Sequence, residues 1–191
     1  YKGVVIWKVT REEKNEMENL RNKYISFEES LLDFSKLSGT TKDKRAISIR
    51  ANIEIASEVR VAKKYGAEGI GMYRTEFLFA RKEQFPTVEE QYTDYSNLFE
   101  DNLFDEVTIR TLDTGGDKAK DVSQEENNPA LGLRGIRYSL ANRDVFSSQI
   151  NAILRVAQDK NKKIRILLPM VSTMDEITES INIVNNLKQN F

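Results

Sequence analysis

The chain has 191 residues, with 29 Lys plus Arg against 30 Asp plus Glu and a formal net charge of −1. This length suits one domain or two small ones. The charge balance gives no support for broad binding to nucleic acid, and no apolar run is long enough to span a bilayer. The sequence has no Cys and no His, which excludes disulfides, thiolate or imidazole metal ligands, Ser-His catalysis and a phosphohistidine within these residues.

The opening run Gly3-Val4-Val5-Ile6-Trp7 predicts a short buried strand. Thr10 and Glu13 stand at capping-box spacing and mark a helix start. Met17, Leu20, Tyr24, Phe27, Leu31 and Phe34 then follow in steps of three and four, a single apolar stripe along a long helix with Gly39 as its stop. The stripe suits packing on the helix's own domain, or a linking role, better than a partner-binding coiled coil, because it spans fewer than three heptads.

From residue 41 the pattern alternates. Ala46 to Glu54 predicts a strand, Ile55 to Tyr65 a helix closed by Gly66, and Ala67 to Tyr73 a second strand. Thr87 and Glu90 open a helix carrying Val88, Tyr92, Tyr95 and Leu98. Val107 to Asp113 predicts a third strand, and Asn128 to Asp159 is helical with a break near Asn142. Ile164 to Met170 predicts a fourth strand, and Thr173 with Glu176 caps a last helix. Strands alternating with helices imply an α/β fold with a parallel sheet. Both a doubly wound sheet and four units of a (β/α)8 barrel fit, since a complete barrel takes about 250 residues.

In such folds the site lies at the carboxyl ends of the strands. Those ends carry Asn52-Ile53-Glu54, Arg74-Thr75-Glu76, Arg110 to Asp113 running into Thr114-Gly115-Gly116-Asp117-Lys118, and Pro169-Met170. Arg110 interrupts an otherwise apolar strand and needs an anion or a carboxylate beside it. Arg74 stands in a comparable place, and two guanidinium forks facing one cavity suit a phosphate. The alternative is structural pairing, Arg74 with Glu76 and Arg110 with Asp113. Glu54, Glu76 and Asp113 could serve as counter-ions or hold a hard metal such as Mg²⁺, and the counter-ion reading is favoured. The glycines at 66, 69 and 71 have the wrong spacing for a dinucleotide fingerprint.

The segments GAEGIGMYRTEFLF (66–79), TIRTLDTGGDK (108–118), NPALGLRGIR (128–137) and ILLPM (166–170) closely resemble the enzyme I family, the phosphoenolpyruvate (PEP)–protein phosphotransferases of bacterial sugar uptake. The resemblance covers nearly the whole chain. It implies that residues 1–40 are the end of a swivelling phosphohistidine domain and a linker helix. It implies that 41–191 are the first four β/α units of a TIM-type (β/α)8 barrel. Arg74 and Arg110 match the family's phosphate-binding arginines, and Lys118 and Arg134 match positions lining the site. The family uses Mg²⁺, phosphorylates the carrier HPr, forms a homodimer and is cytoplasmic, with no nucleic-acid or membrane partner. Its histidine, its Mg²⁺ ligands and its proton-donating cysteine match no residue here. No residue of this stretch is therefore expected to be catalytic or metal-binding, and this stretch alone is expected not to turn over PEP. A chain that begins at Tyr1 rather than Met fits a piece of a longer protein. The related PEP synthases and pyruvate phosphate dikinases share the barrel, but the dikinase type carries His where this chain has Phe77. A truncated, non-catalytic anion-binding module is the other alternative.

Overall fold

The computed structural model describes residues 5, 7–80, 84–114 and 131–191. The chain divides into two compact units, residues 1–47 with 64–66 and residues 48–63 with 67–191.

The first unit is dominated by α1 (Arg11–Phe34). Its capping box forms as the sequence predicts: the Thr10 hydroxyl accepts from the Glu13 amide, and the Glu13 carboxylate accepts from the Thr10 amide at 2.8 Å. These bonds hold the Glu13 carboxyl below its ordinary range. The helix ends at Phe34 with Ser35 as its cap, ahead of Gly39. None of its residues is buried, and Met17, Leu20, Tyr24, Phe27 and Phe34 stay exposed, so the stripe is not packed among the described residues. Val5 and Trp7 belong to no strand, and the rest of the predicted opening strand lies outside the described residues.

The second unit is a four-stranded, all-parallel sheet in the order β1-β2-β3-β4, with β1 Ala51–Ile53, β2 Ile70–Arg74, β3 Glu106–Arg110 and β4 Lys163–Leu167. Six helices accompany it: α2 Glu58–Lys64, α3 Glu76–Ala80, α4 Val88–Asn97, α5 Ile136–Ala141, α6 Arg143–Lys160 and α7 Met174–Lys188. The capping boxes at Thr87/Glu90 and Thr173/Glu176 both form, and the predicted break falls at Asn142, between α5 and α6.

Every strand is shorter than the sequence suggests. β1 runs only from Ala51, although the Glu68 amide already donates to the Ile49 carbonyl at 2.9 Å, and the Arg50 side chain pairs with Glu106. Beyond Arg110 the Thr111 amide still donates to the Leu167 carbonyl at 3.0 Å, and the ladder ends where Leu112 donates to Gln149 and Asp113 donates to Glu76. β4 stops before Pro169, which has no amide hydrogen to donate. One face of β3 is fully covered, with Val107 and Ile109 buried under α4 and α6. Tyr73 meets Tyr95 edge to face there, with centroids 6.2 Å apart. The other face carries Glu106, Thr108 and Arg110, which are only partly buried. Among the described residues no helix is long and apolar enough to cross a membrane.

Candidate phosphate site

Parallel pairing brings all four strand ends to one edge of the sheet. Arg74, the last residue of β2, lies directly opposite Arg110, the last residue of β3. Neighbouring strands run about 4.8 Å apart, so two guanidinium groups spring from adjacent backbones at the same level. Like charges directly opposite each other destabilise a sheet. The chain must therefore supply compensation, and it does so from three elements.

Arg110 is the better buried of the two, with 18% of its side chain exposed. Its Nη2 lies 2.9 Å from Glu76 Oε1 and its Nη1 lies 3.3 Å from Asp113 Oδ2. Glu76 Oε1 also accepts the Asp113 amide at 3.1 Å. Asp113 in turn takes Arg134 Nε at 3.1 Å. Arg74 pairs with Glu54 at the end of β1, and both side chains remain about half exposed. The expected Arg110–Asp113 pair is thus present. Glu76, however, turns to Arg110, and Arg74 is met by Glu54 instead. The counter-ion reading of Glu54, Glu76 and Asp113 describes what these carboxylates do.

Compensation is not complete. Arg110 Nε and Glu76 Oε2 are both buried and have no hydrogen-bond partner among the described residues. A buried guanidinium N–H without an acceptor is costly, and a bound anion would relieve it. Arg74 offers a second, more open guanidinium beside it.

Arg134 reaches this cluster through a backbone device that the sequence reading missed. Gly135, at the start of α5, adopts a positive φ of 58°, and a Cβ there would lie 2.8 Å from the Pro169 carbonyl oxygen. The Gly135 amide donates to Thr114 at 3.3 Å and the Ile136 amide to Pro169 at 2.9 Å. Only glycine allows this close docking of the 131–135 turn between the ends of β3 and β4. The neighbouring Gly115 and Gly116, and Lys118, lie outside the described residues.

Behind the strand ends sits a buried polar network that the sequence reading also missed. Gln149 on α6 accepts the Leu112 amide at 3.0 Å and donates to Thr75 Oγ1 at 3.2 Å and to the Tyr95 hydroxyl at 3.1 Å. Thr75 donates to the Arg110 carbonyl at 2.9 Å. Tyr95 donates to Gln91 at 3.1 Å, and Gln91 donates to the Pro86 carbonyl at 3.0 Å. Burial pushes the Tyr95 phenol far above its ordinary value, against the opposing hydrogen bond from Gln149, so it stays protonated.

Among the described residues no group of three His, Cys, Asp or Glu side chains is placed to hold a metal ion, and Glu54, Glu76 and Asp113 are each engaged by an arginine.

Residues 28–191 match the PEP-binding domain of the PEP-utilising enzymes. The chain belongs to that family. It is 37% identical to the phosphoenolpyruvate-protein phosphotransferase of Buchnera aphidicola subsp. Baizongia pistaciae, over 93% of this chain and 31% of that protein. It is 40% identical to the protein of the same name from Mycoplasma capricolum, over 86% of this chain and 29% of that protein. The Staphylococcus aureus protein of that name is 36% identical over 98% of this chain and 33% of its own length. The chain therefore spans about one third of the length of these relatives.

Proposed function

We propose that this chain forms the phosphate-holding part of the PEP site in a PEP–protein phosphotransferase. The observation that carries the reading is the direct cross-strand pairing of Arg74 and Arg110, with Arg110 Nε buried and without an acceptor among the described residues. Two adjacent guanidinium groups on a rigid sheet edge suit the oxygens of one phosphate, neutralising charge as the phosphoryl group departs. Arg134 backs this pair through Asp113, and Lys118 joins it by its place in the matched sequence.

In this reading residues 41–191 are the first four units of a (β/α)8 barrel, and residues 1–40 link it to a phosphohistidine domain. The whole protein is cytoplasmic and dimeric and cleaves the phosphorus–oxygen bond of PEP. It passes the phosphoryl group to a histidine that these 191 residues do not contain, and from there to HPr for sugar uptake. Mg²⁺ would supply further charge neutralisation, and Glu54, Glu76 and Asp113, each taken by an arginine, are not its expected ligands. This stretch alone holds PEP without turning it over.

Calorimetric titration of PEP into the chain tests the reading. Saturable binding that weakens about tenfold in Arg74→Ala and vanishes in Arg110→Ala is expected. Binding that is unaffected by both substitutions would refute it, as would transfer of label from PEP to HPr by this chain alone.

A further inference from the structure

We infer that Gln149 is a positioning residue for the PEP site, and that it sets the spacing of the two phosphate-binding arginines without touching the ligand. The inference rests on the PEP reading of the Arg74–Arg110 pair.

The geometry is specific. Arg74 and Arg110 lie on one side of the sheet, and Gln149 comes from α6 on the other. Its single amide group reaches the residue after Arg74 and the second residue after Arg110. Gln149 Nε2 donates to Thr75 Oγ1 at 3.2 Å, and Thr75 donates to the Arg110 carbonyl at 2.9 Å. Gln149 Oε1 accepts the Leu112 amide at 3.0 Å. That amide has left the sheet ladder, so no strand partner can hold it. The second Nε2 hydrogen goes to Tyr95 at 3.1 Å, and Tyr95 fixes the amide orientation through Gln91. Both donors and the acceptor of the carboxamide are used, and Gln149, Thr75, Tyr95 and Gln91 are all buried.

A fully satisfied buried network of this kind is rigid and admits one arrangement. The β2–β3 ladder fixes the register as far as Arg74 and Arg110, where both strands end. Beyond that point the planar amide of Gln149 ties Thr75 and Leu112 together through directional hydrogen bonds. A guanidinium pair that must meet one phosphate gains from this, since displacements near 1 Å at a binding constellation cost on the order of tenfold to a hundredfold. The identity of the residue matters too. Leu at 149 would leave the Leu112 amide unpaired, and Glu would accept from Leu112 but, when ionised, could donate to neither Thr75 nor Tyr95.

The test compares PEP affinity with thermal stability in four proteins: wild type, Gln149→Met, Gln149→Glu and Val156→Ala. Val156 is buried on the same helix and lies outside the network. Gln149→Met should weaken PEP binding about tenfold. Val156→Ala should lower the melting temperature with affinity kept within twofold of wild type. Gln149→Glu should show a pH-dependent defect relative to wild type, large near pH 8 and smaller near pH 6, because the protonated carboxyl regains one donor. If Gln149→Met binds PEP as wild type does, or Val156→Ala weakens binding equally, the positioning role falls while the PEP reading stands. If wild type itself binds no PEP at millimolar concentration, the PEP reading falls and takes this role with it.

Discussion

The two ends of the sheet both gather arginines and carboxylates, and they do so differently. At the amino-terminal end Glu106 is met by three cations, beside a separate Lys162–Asp105 pair. Lys163 Nζ lies 2.8 Å from it and Arg165 Nη2 3.0 Å, and Arg50 completes the set. The Lys163 hydrogen bond, helped by Arg50 and by the Arg165 charge, holds its carboxyl down at about 2. No atom of these four side chains is buried without a partner. At the carboxyl end the arginines are opposed by carboxylates in equal number: Arg74, Arg110 and Arg134 against Glu54, Glu76 and Asp113. Yet two buried atoms of this cluster, Arg110 Nε and Glu76 Oε2, have no hydrogen-bond partner among the described residues. The first cluster joins β3 and β4 to the residue before β1. The second leaves buried polar atoms unmatched among the described residues and is backed by Gln149.

Substitutions should separate the two ends. The largest effect is expected for Arg110→Ala, which strips the described counter-ion from the partly buried Glu76 and leaves Asp113 with Arg134 alone. Breaking such a pair costs about 3 kcal/mol, so the melting temperature should fall by roughly 10 °C and PEP binding should disappear. A melting curve that barely moves would make Arg110 a surface contact and erase the contrast.

Arg74→Ala is expected to act on binding alone. Its pair with Glu54 is about half exposed, and exposed ion pairs contribute about 0.5 kcal/mol. Affinity for PEP should drop about tenfold with melting nearly unchanged. A loss of stability comparable to that of Arg110→Ala would show that Arg74 is a tie rather than a ligand contact.

Glu106→Gln should have the smallest effect on binding, with the change confined to stability. A carboxyl whose folded value is depressed stabilises the fold above its unfolded value of about 4.3. That contribution fades as the pH falls through about 2. The difference in melting between wild type and Glu106→Gln should therefore be full at pH 6 and shrink progressively below pH 4. PEP affinity should not change. A difference independent of pH would remove Glu106 from the ionic account.

Much of this fold is legible in local sequence. Three Thr-x-x-Glu pairs sit where three helices begin, because a capping box is satisfied within four residues. The break at Asn142 and the strand centres are equally local. The stripe on α1 is legible as a pattern, but its burial is not, since periodicity says nothing of what covers a face. At the site, Arg74 and Arg110 stand out because charge interrupts apolar strands. Their partners do not stand out. Glu54 reaches Arg74 and Glu76 reaches Arg110 only once parallel pairing has set the register. Gln149, 74 positions from Thr75, looks in sequence like an ordinary polar residue of a helix. Gly135 could have been found, because a glycine between an Arg and an apolar helix start invites the question of what backbone angle it serves.

The central claim is that the carboxyl end of the sheet, and not the amino end, receives a phosphate. The most direct measurement follows the side-chain Nε–H signals of the arginines by nuclear magnetic resonance during a PEP titration. The signals of Arg74 and Arg110 should move together and saturate with a single dissociation constant, while those of Arg50 and Arg165 stay in place. Movement of all four without saturation, or of none, would contradict the account.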